Sequence, residues 1–380
     1  MSCMLKVLIA PDSFKESLDG MDVAIAIRQG LEKAINGVEA ICLPVADGGD
    51  GTIEALVKAS NGSFMTSRVS DPLGVPIDAV WGIMGDGVTA VIEMARASGL
   101  ALLTDEQRDP RYTTTFGTGQ LICEAIQKGY KKFIIGIGGS ATNDGGAGMA
   151  QALGVKFLDK NGKELSFGGA PLADLRKIDM TNISSEISEL SVLVASDVSN
   201  PLCGKTGASA IYGPQKGATP EMVLELDAAL KNYADIISTN LDKNIEFLPG
   251  AGAAGGLGAG LMAFMNAELK PGIDLVTEAL DFDKYLQDCD LVITGEGAID
   301  GSTIFNKAPV GVAQRAKKYN IPVIAFAGTL GDGYQKVYEY GIDAVFNVQN
   351  KPMSLQDSIK STKELLIDSV DRVMRFSTLL

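Results

Sequence analysis

Histidine does not occur anywhere in this 380-residue chain, and its absence removes whole classes of chemistry. Ser-His-Asp and Cys-His catalysis, histidine proton shuttles and the usual zinc sites all need an imidazole. Acid–base or metal chemistry must therefore rest on carboxylates and lysines. Cysteine is scarce and scattered. Cys3, Cys42, Cys123, Cys203 and Cys289 are odd in number and never spaced Cys-x-x-Cys, the pattern of free thiols in a reducing compartment. Positive charge is in deficit, with 33 Lys and Arg against 47 Asp and Glu for a formal net charge of −14. That balance argues against nucleic-acid binding, which is driven by neutralising phosphates with Lys and Arg. Long apolar runs are missing too. The N-terminus has only a short one with no cleavage-type sequence after it, and the longest weakly polar stretch, residues 251–265, is glycine-rich and too short to span a bilayer. The expectation is a soluble cytoplasmic protein with neither a nucleic-acid nor a membrane partner.

What is present fits an enzyme of two ordinary domains. The chain is 46% hydrophobic and 21% charged, and its 44 glycines sit in short motifs without a low-complexity tract, which suggests tight turns and ligand loops. Residues 6–10 read as a strand ending in Pro11-Asp12-Ser13. A helix follows, with Val23, Ala24, Ile27, Leu31 and Ala34 on one face. A second strand over 40–45 runs into Asp47-Gly48-Gly49-Asp50-Gly51-Thr52. The C-terminal part repeats this grammar, with strands over 291–294, 323–327 and 344–348, a helix over 310–319, and a last helix starting near Ser354. Between them, residues 68–93 look like short antiparallel strands and 191–196 like another strand. These patterns predict an α/β protein. A Rossmann-like, doubly wound parallel-sheet domain is built from both chain ends (1–66 and 286–380), and a second α/β domain (67–285) is inserted into it.

Two segments match the G-x-G-x-x-G/A pattern: Gly136-Ile-Gly138-Gly139-Ser140-Ala141, continued by Thr142-Asn143, and Gly250-Ala-Gly252-Ala-Ala-Gly255. The first has a strand before it and a helix after it. Three readings stay open: a dinucleotide fingerprint, an anion-holding backbone nest, or close packing. No Walker A motif is present; Gly204-Lys205-Thr206 supplies the end of one, but Ser199 stands where its first glycine should be. The acids carry more information. Asp12, Asp47, Asp50, Asp197, Glu296 and Asp300 each follow a predicted strand, at the rim where open α/β sheets bind ligands. Taken singly, each can be a turn residue or a cap. As a set they are hard oxygen ligands of the kind that suit Mg²⁺. Lys15 and Lys307 stand in comparable loops and suit phosphate or carboxylate.

Eight segments in order resemble the bacterial glycerate kinase family. They are Ile9-Ala-Pro-Asp-Ser-Phe-Lys15, Ala46-Asp-Gly-Gly-Asp-Gly-Thr52, Thr113-Thr-Thr-Phe-Gly-Thr-Gly119, Gly136-Ile-Gly-Gly-Ser-Ala-Thr-Asn-Asp-Gly-Gly146, Asp197-Val-Ser-Asn-Pro-Leu202, Gly213-Pro-Gln-Lys-Gly217, Gly250-Ala-Gly-Ala-Ala-Gly-Gly256 and Gly295-Glu-Gly297. The resemblance implies an ATP-dependent D-glycerate kinase with two α/β domains and a cleft between them. Its product would be 2-phosphoglycerate in preference to 3-phosphoglycerate. It leaves the oligomeric state open, a homodimer included. Three positions depart from the expected family pattern: Ala298 where arginine is common, Asn306 where glycine is common, and Asp50 where glutamate is usual.

On this reading ATP is the co-substrate and Mg²⁺ the cofactor, held by some of Asp47, Asp50, Glu296 and Asp300. Asp197 orients the substrate hydroxyl and accepts its proton, and Lys15 or Lys307 offsets developing charge. Phosphate and substrate contacts fall to Asp12, Ser13, Gly138, Gly139, Ser140, Asn143, Asn200, Gly252 and Gly255. The rival enzyme reading is an NAD-dependent hydroxy-acid dehydrogenase, resting on the two glycine patterns. The non-enzyme rival is a sugar-acid-binding sensor on a kinase fold, motivated by Ala298 and Asn306.

Overall fold

The structure is a computed structural model that describes residues 4–49, 51–305 and 307–377. In chain order its strands begin with β1 (Lys6–Ile9), β2 (Glu39–Cys42), β3 (Ser63–Ser70), β4 (Pro76–Ile83) and β5 (Thr89–Glu93). They continue with β6 (Lys132–Gly136), β7 (Lys156–Leu158), β8 (Lys177–Asp179), β9 (Ser191–Ala195) and β10 (Glu268–Lys270). The last three are β11 (Leu291–Ile299), β12 (Val323–Leu330) and β13 (Ala344–Asn347). The chain divides into two compact units. One takes both chain ends, running up to Asp47 and on from Pro271, together with Glu54–Asn61; the other takes Gly48–Ile53 and Gly62–Lys270.

The first unit is a five-stranded sheet in the order β13-β12-β11-β1-β2, with every pair parallel. Strands from the two chain ends thus lie side by side, Val7 opposite Leu291 and Ile9 opposite Ile293, as the βαβ grammar at both ends predicts. Val7, Ile9, Ile293 and Phe326 pack with Val23, Ile27 and Leu31 of the helix Gly20–Ala34 and with Leu366 and Val370 of the helix Thr362–Ser377. The alternating residues Leu8, Val292, Val323 and Ala325 are buried as well. Both faces of the sheet are therefore covered, as a parallel sheet requires. Asp19 caps the first helix by accepting from the Met21 and Asp22 amides. Ser354 likewise accepts from the Asp357 amide to start Leu355–Lys360.

The second unit holds a six-stranded mixed sheet, β10-β9-β6-β5-β4-β3. The pairs β3–β4 and β4–β5 are antiparallel, while β5–β6, β6–β9 and β9–β10 are parallel. Its core joins Trp81, Ile92, Phe133 and Ile135 to Leu257 and Leu261 of the helix Ala253–Met265. Among the described residues, no helix is long and apolar enough to cross a membrane.

Two local expectations are corrected. Glu296 does not follow its strand but lies inside it, because β11 runs on to Ile299, pairing Glu296 with Ala327 and Ile299 with Leu330. Gly295 permits this: a Cβ there would stand 2.2 Å from the Phe326 carbonyl oxygen of β12. The helix expected after Gly136-x-Gly138 begins only at Ala147, with a loop over 137–146 between. A dinucleotide fingerprint needs the helix N-terminus directly after the glycines to meet the pyrophosphate, so this segment lacks the geometry of that reading.

Candidate active site

In the first unit the strand order reverses between β11 and β1. The chain goes from β1 to β2 on one side and from β11 through β12 to β13 on the other. Such a switch point opens a crevice at the carboxyl ends of the strands, where open α/β sheets bind ligands. The backbone extends the β1–β11 pairing into that crevice, the Ala10 amide donating to Ile293 O and the Asp12 amide to Gly295 O, both at 2.8 Å. Asp12, leaving β1, is thereby set beside Glu296 on β11. A cleft of about 570 Å³ lies here, and Asp12, Ser13, Lys15, Asp47, Glu296 and Lys307 are among its walls.

The cleft concentrates negative charge under partial burial. Asp12 is 7% exposed and Glu296 8%. Burial first, then the neighbouring Asp47 carboxylate and Glu296, push the Asp12 carboxyl up to about 7, although the Ser13 amide and Lys15 work the other way. Glu296 is pushed up to about 7 by burial, with Asp47 and Asp300 adding to it and Thr303 and Lys307 opposing. Among the described residues each accepts one hydrogen bond: Asp12 from the Ser13 amide at 2.6 Å, and Glu296 from Thr303 Oγ1 at 2.8 Å. Lys307 sits directly before the helix Ala308–Lys317, with a proline in that helix's first turn.

Not every predicted ligand joins this cluster. Asp300 Oδ1 accepts from the Ser302 amide at 2.7 Å and the Ser302 hydroxyl at 2.6 Å, bonds that hold its carboxyl below the usual range. Asp50 and Asn306 lie outside the described residues. Among the described residues, no three Asp, Glu or Cys side chains are arranged to hold a metal ion by themselves. The donor set still fits Mg²⁺, which takes one or two carboxylates and completes its shell with water and substrate phosphates. Carboxylates that burial and like charge hold partly protonated are also the groups a divalent cation would stabilise in ionised form.

The remaining predicted residues belong to the second unit. Asp197 follows β9 and is exposed. The Asn200 side chain braces its own loop, donating to Thr206 O and accepting from the Tyr212 hydroxyl, both at 2.8 Å. Gly138 and Gly139 are exposed after β6, whereas Ser140 and Asn143 are buried. Asn143 Nδ2 donates to Ser209 Oγ at 2.9 Å, while its Oδ1 is buried without a partner among the described residues. Gly252 and Gly255 are buried in backbone packing. A Cβ on Gly255, whose φ is +68°, would stand 1.9 Å from Thr142 O, and one on Gly252 would stand 2.2 Å from Pro201 O. Of the three readings of the second glycine pattern, this is the geometry of close packing.

Sequence reasoning missed Lys216. It is fully enclosed, its Nζ donating to Ser140 Oγ at 2.8 Å and to Thr142 O at 2.6 Å. Burial lowers it to about 7, with the Asp144 carboxylate opposing. Asp144 is itself raised by burial, against amide and hydroxyl donors from Thr115, Gly146 and Gly148. The one available signal was that both residues stand inside segments that carry the family resemblance.

Comparison with known proteins shows the family to which this fold belongs. The profile of the glycerate kinase family matches residues 7–378. The chain belongs to the glycerate kinase family. It is 51% identical over 356 residues to the glycerate 2-kinase of Escherichia coli K12, covering 94% of this chain and 93% of that one. It is 49% identical over 363 residues to a glycerate kinase of Halalkalibacterium halodurans, covering 96% of each. A crystal structure from Salmonella typhimurium LT2, provisionally called glycerate kinase 2, matches with a TM-score of 0.92 at 47% identity and covers 99% of both chains.

Proposed function

We propose that this glycerate kinase family member transfers a phosphoryl group from ATP to D-glycerate, forming 2-phosphoglycerate in preference to 3-phosphoglycerate, in the cytoplasm and with Mg²⁺. The observation that carries this reading is the family match across 7–378 joined to the switch-point cleft, where acids and two lysines stand together. The choice of the 2-hydroxyl is supported by the name of the E. coli relative.

Phosphoryl transfer passes through a loose transition state, so the protein mainly positions groups and balances charge. Mg²⁺, when bound, neutralises charge on the phosphate oxygens; Asp12, Asp47 and Glu296, with Asp50, are the residues to hold it. Lys15 and Lys307 compensate charge on the transferred group. Asp197, exposed after β9, orients the glycerate hydroxyl and accepts its proton, which in a loose transition state leaves late. The exposed amides of Gly138 and Gly139 remain available to an anion, whereas the packing of Gly252 and Gly255 favours a scaffolding part for them.

One experiment tests the whole reading. The protein is incubated with D-glycerate and either Mg-ATP or NAD, and the products are resolved by phosphorus NMR and absorbance. ADP with 2-phosphoglycerate is expected. NADH would restore the dehydrogenase, and neither product would restore the sensor. In the same assay Asp197→Asn is expected to lose about a hundredfold in rate; near-normal turnover removes Asp197 from the mechanism.

A further inference from the structure

The switch-point cleft is chemically two-sided. One side carries Asp12, Asp47, Glu296, Lys15 and Lys307. The other is built by the chain after β13, where Met353, Leu355 and Ile359 line the cleft with Gln349 and Ser358 among them. This second side is tied in place. Ser17 Oγ, in the loop after β1, donates to the Ile359 carbonyl at 2.9 Å, and Gln349 Nε2 donates to Ser358 Oγ at 3.3 Å. Leu355 nevertheless keeps 71% of its surface exposed, an aliphatic side chain left uncovered at the rim of a charged cleft.

Glycerate has no use for that wall. It is a three-carbon acid with oxygen on every carbon, so it has nothing to desolvate against methionine, leucine and isoleucine. Its carboxylate would also face three acids with only two lysines to offset them. A nucleoside triphosphate suits both sides. Its base is a flat, largely apolar ring with a hydrogen-bonding edge, and its polyphosphate seeks cations. The volume, about 570 Å³, falls in the range of roughly 300–1,000 Å³ usual for small-molecule pockets lined by apolar groups with a few placed polar ones. Glycerate would leave most of it unfilled.

We propose that the apolar half of this cleft seats the nucleoside of the phosphoryl donor. The purine ring lies against Met353, Leu355 and Ile359, Gln349 meets its polar edge, and the polyphosphate extends toward Lys15 and Lys307. This assignment rests on the kinase reading above and adds to it which unit holds the donor and which segment reads its base.

The test is calorimetric titration of the full chain with Mg-ADP in the absence of glycerate, followed by steady-state kinetics. Met353→Asp and Ile359→Asp, which put a carboxylate in the ring's seat, should each weaken Mg-ADP binding about tenfold or more. They should raise KM for ATP and leave KM for D-glycerate unchanged. Leu355→Ala, at an exposed position that cannot unfold the protein by leaving a cavity, should weaken binding by about threefold. Leu224→Asp, an equivalent change at a residue 73% exposed in the other unit, should leave affinity intact. Unchanged Mg-ADP affinity in all three cleft variants overturns the seat. So does competitive displacement of Mg-ADP by D-glycerate, or a wild-type chain that binds no Mg-ADP. Failure of the kinase reading looks different: the wild-type chain binds Mg-ADP with the expected variant pattern yet forms no phosphoglycerate.

Discussion

Each unit buries ionisable groups, and the two treat them in opposite ways. Around Asp144 the second unit surrounds a fully buried carboxylate with donors: the Thr115 amide and hydroxyl and the Gly146 and Gly148 amides. The buried Lys216 ammonium nearby is given Ser140 Oγ and Thr142 O. Around Asp12 the first unit sets a buried carboxyl beside two more acids and provides one amide. A buried charge costs several kcal/mol unless paired and hydrogen-bonded. The first arrangement has met that cost within the protein, which is the signature of scaffolding. The second has left it open, to be met by something that arrives from solution. Perturbed carboxyls are therefore informative about function only when their partners are also counted.

The sharpest way to break this contrast is to remove Asp144. Asp144→Ala strands two glycine amides, the Thr115 amide and hydroxyl and the Lys216 charge in a dry interior, and should cost about 3–5 kcal/mol in chemical denaturation. A loss below about 1 kcal/mol would show that the network is not structural. The counterpart change is Asp12→Asn or Glu296→Gln. Each keeps side-chain volume and an acceptor oxygen while removing a repelled charge, so melting temperature should hold or rise. Turnover should fall about a hundredfold, the scale of one lost preorganised electrostatic group. If either variant melted as early as Asp144→Ala with unchanged turnover per folded molecule, the two clusters would be alike and the distinction would fail.

A smaller effect follows from pH. In the folded protein Asp12 and Glu296 hold their protons up to about 7, whereas in the unfolded chain both ionise near their ordinary values of about 4. Between those limits the folded state binds more protons than the unfolded one, so stability falls as pH rises from about 4.5 to 7 and levels off above that. In chelator the two groups together should produce a loss that deepens steadily across that window. Glu296→Gln should flatten the slope, and so should millimolar Mg²⁺, because a cation in the cleft favours the ionised forms. A slope indifferent to both would mean that these carboxyls are not the groups titrating.

Much of this was legible in the sequence, and the illegible part has a common cause. Periodicity placed β1, β9 and the strands of both chain ends to within a few residues, because buried parallel strands are short apolar runs whatever surrounds them. It also implied that Asp12, Asp47 and Glu296 share a rim, since strand ends of one parallel sheet point the same way. It could not show that β11 continues through Gly295-Glu296-Gly297 to Ile299, because only the approach of Phe326 O explains a glycine in mid-strand. Lys216 escaped for a related reason. A lysine between Gln215 and Gly217 reads as solvated, and only the folded chain shows Ser140 and Thr142 closing over it. The glycine patterns were the least legible, since the spacing alone does not show that Gly255 packs against the Thr142 backbone.

The smallest effect divides the acids within the first unit itself. Sequence grouped Asp300 with Glu296 as a metal ligand, but in the structure its Oδ1 is occupied by the Ser302 amide and hydroxyl in a tight turn. The Asp300 amide in turn donates to Thr303 Oγ1 at 3.1 Å, and that same hydroxyl donates to Glu296. Asp300 thus shapes a loop beside the cleft, and its charge adds to the field on Glu296. An asparagine keeps the accepting oxygen and an alanine does not. Asp300→Asn should stay within about 0.5 kcal/mol of the wild type, with turnover near normal, and Asp300→Ala should lose about 1 kcal/mol, the worth of a typical turn hydrogen bond. Were Asp300 a metal ligand, the ranking would change: Asp300→Asn would lose turnover on the scale of Glu296→Gln, and raising Mg²⁺ would partly restore it. Kinetics of Asp300→Asn across a Mg²⁺ titration, set beside its melting curve, therefore separates a carboxylate that holds a loop from one that holds an ion.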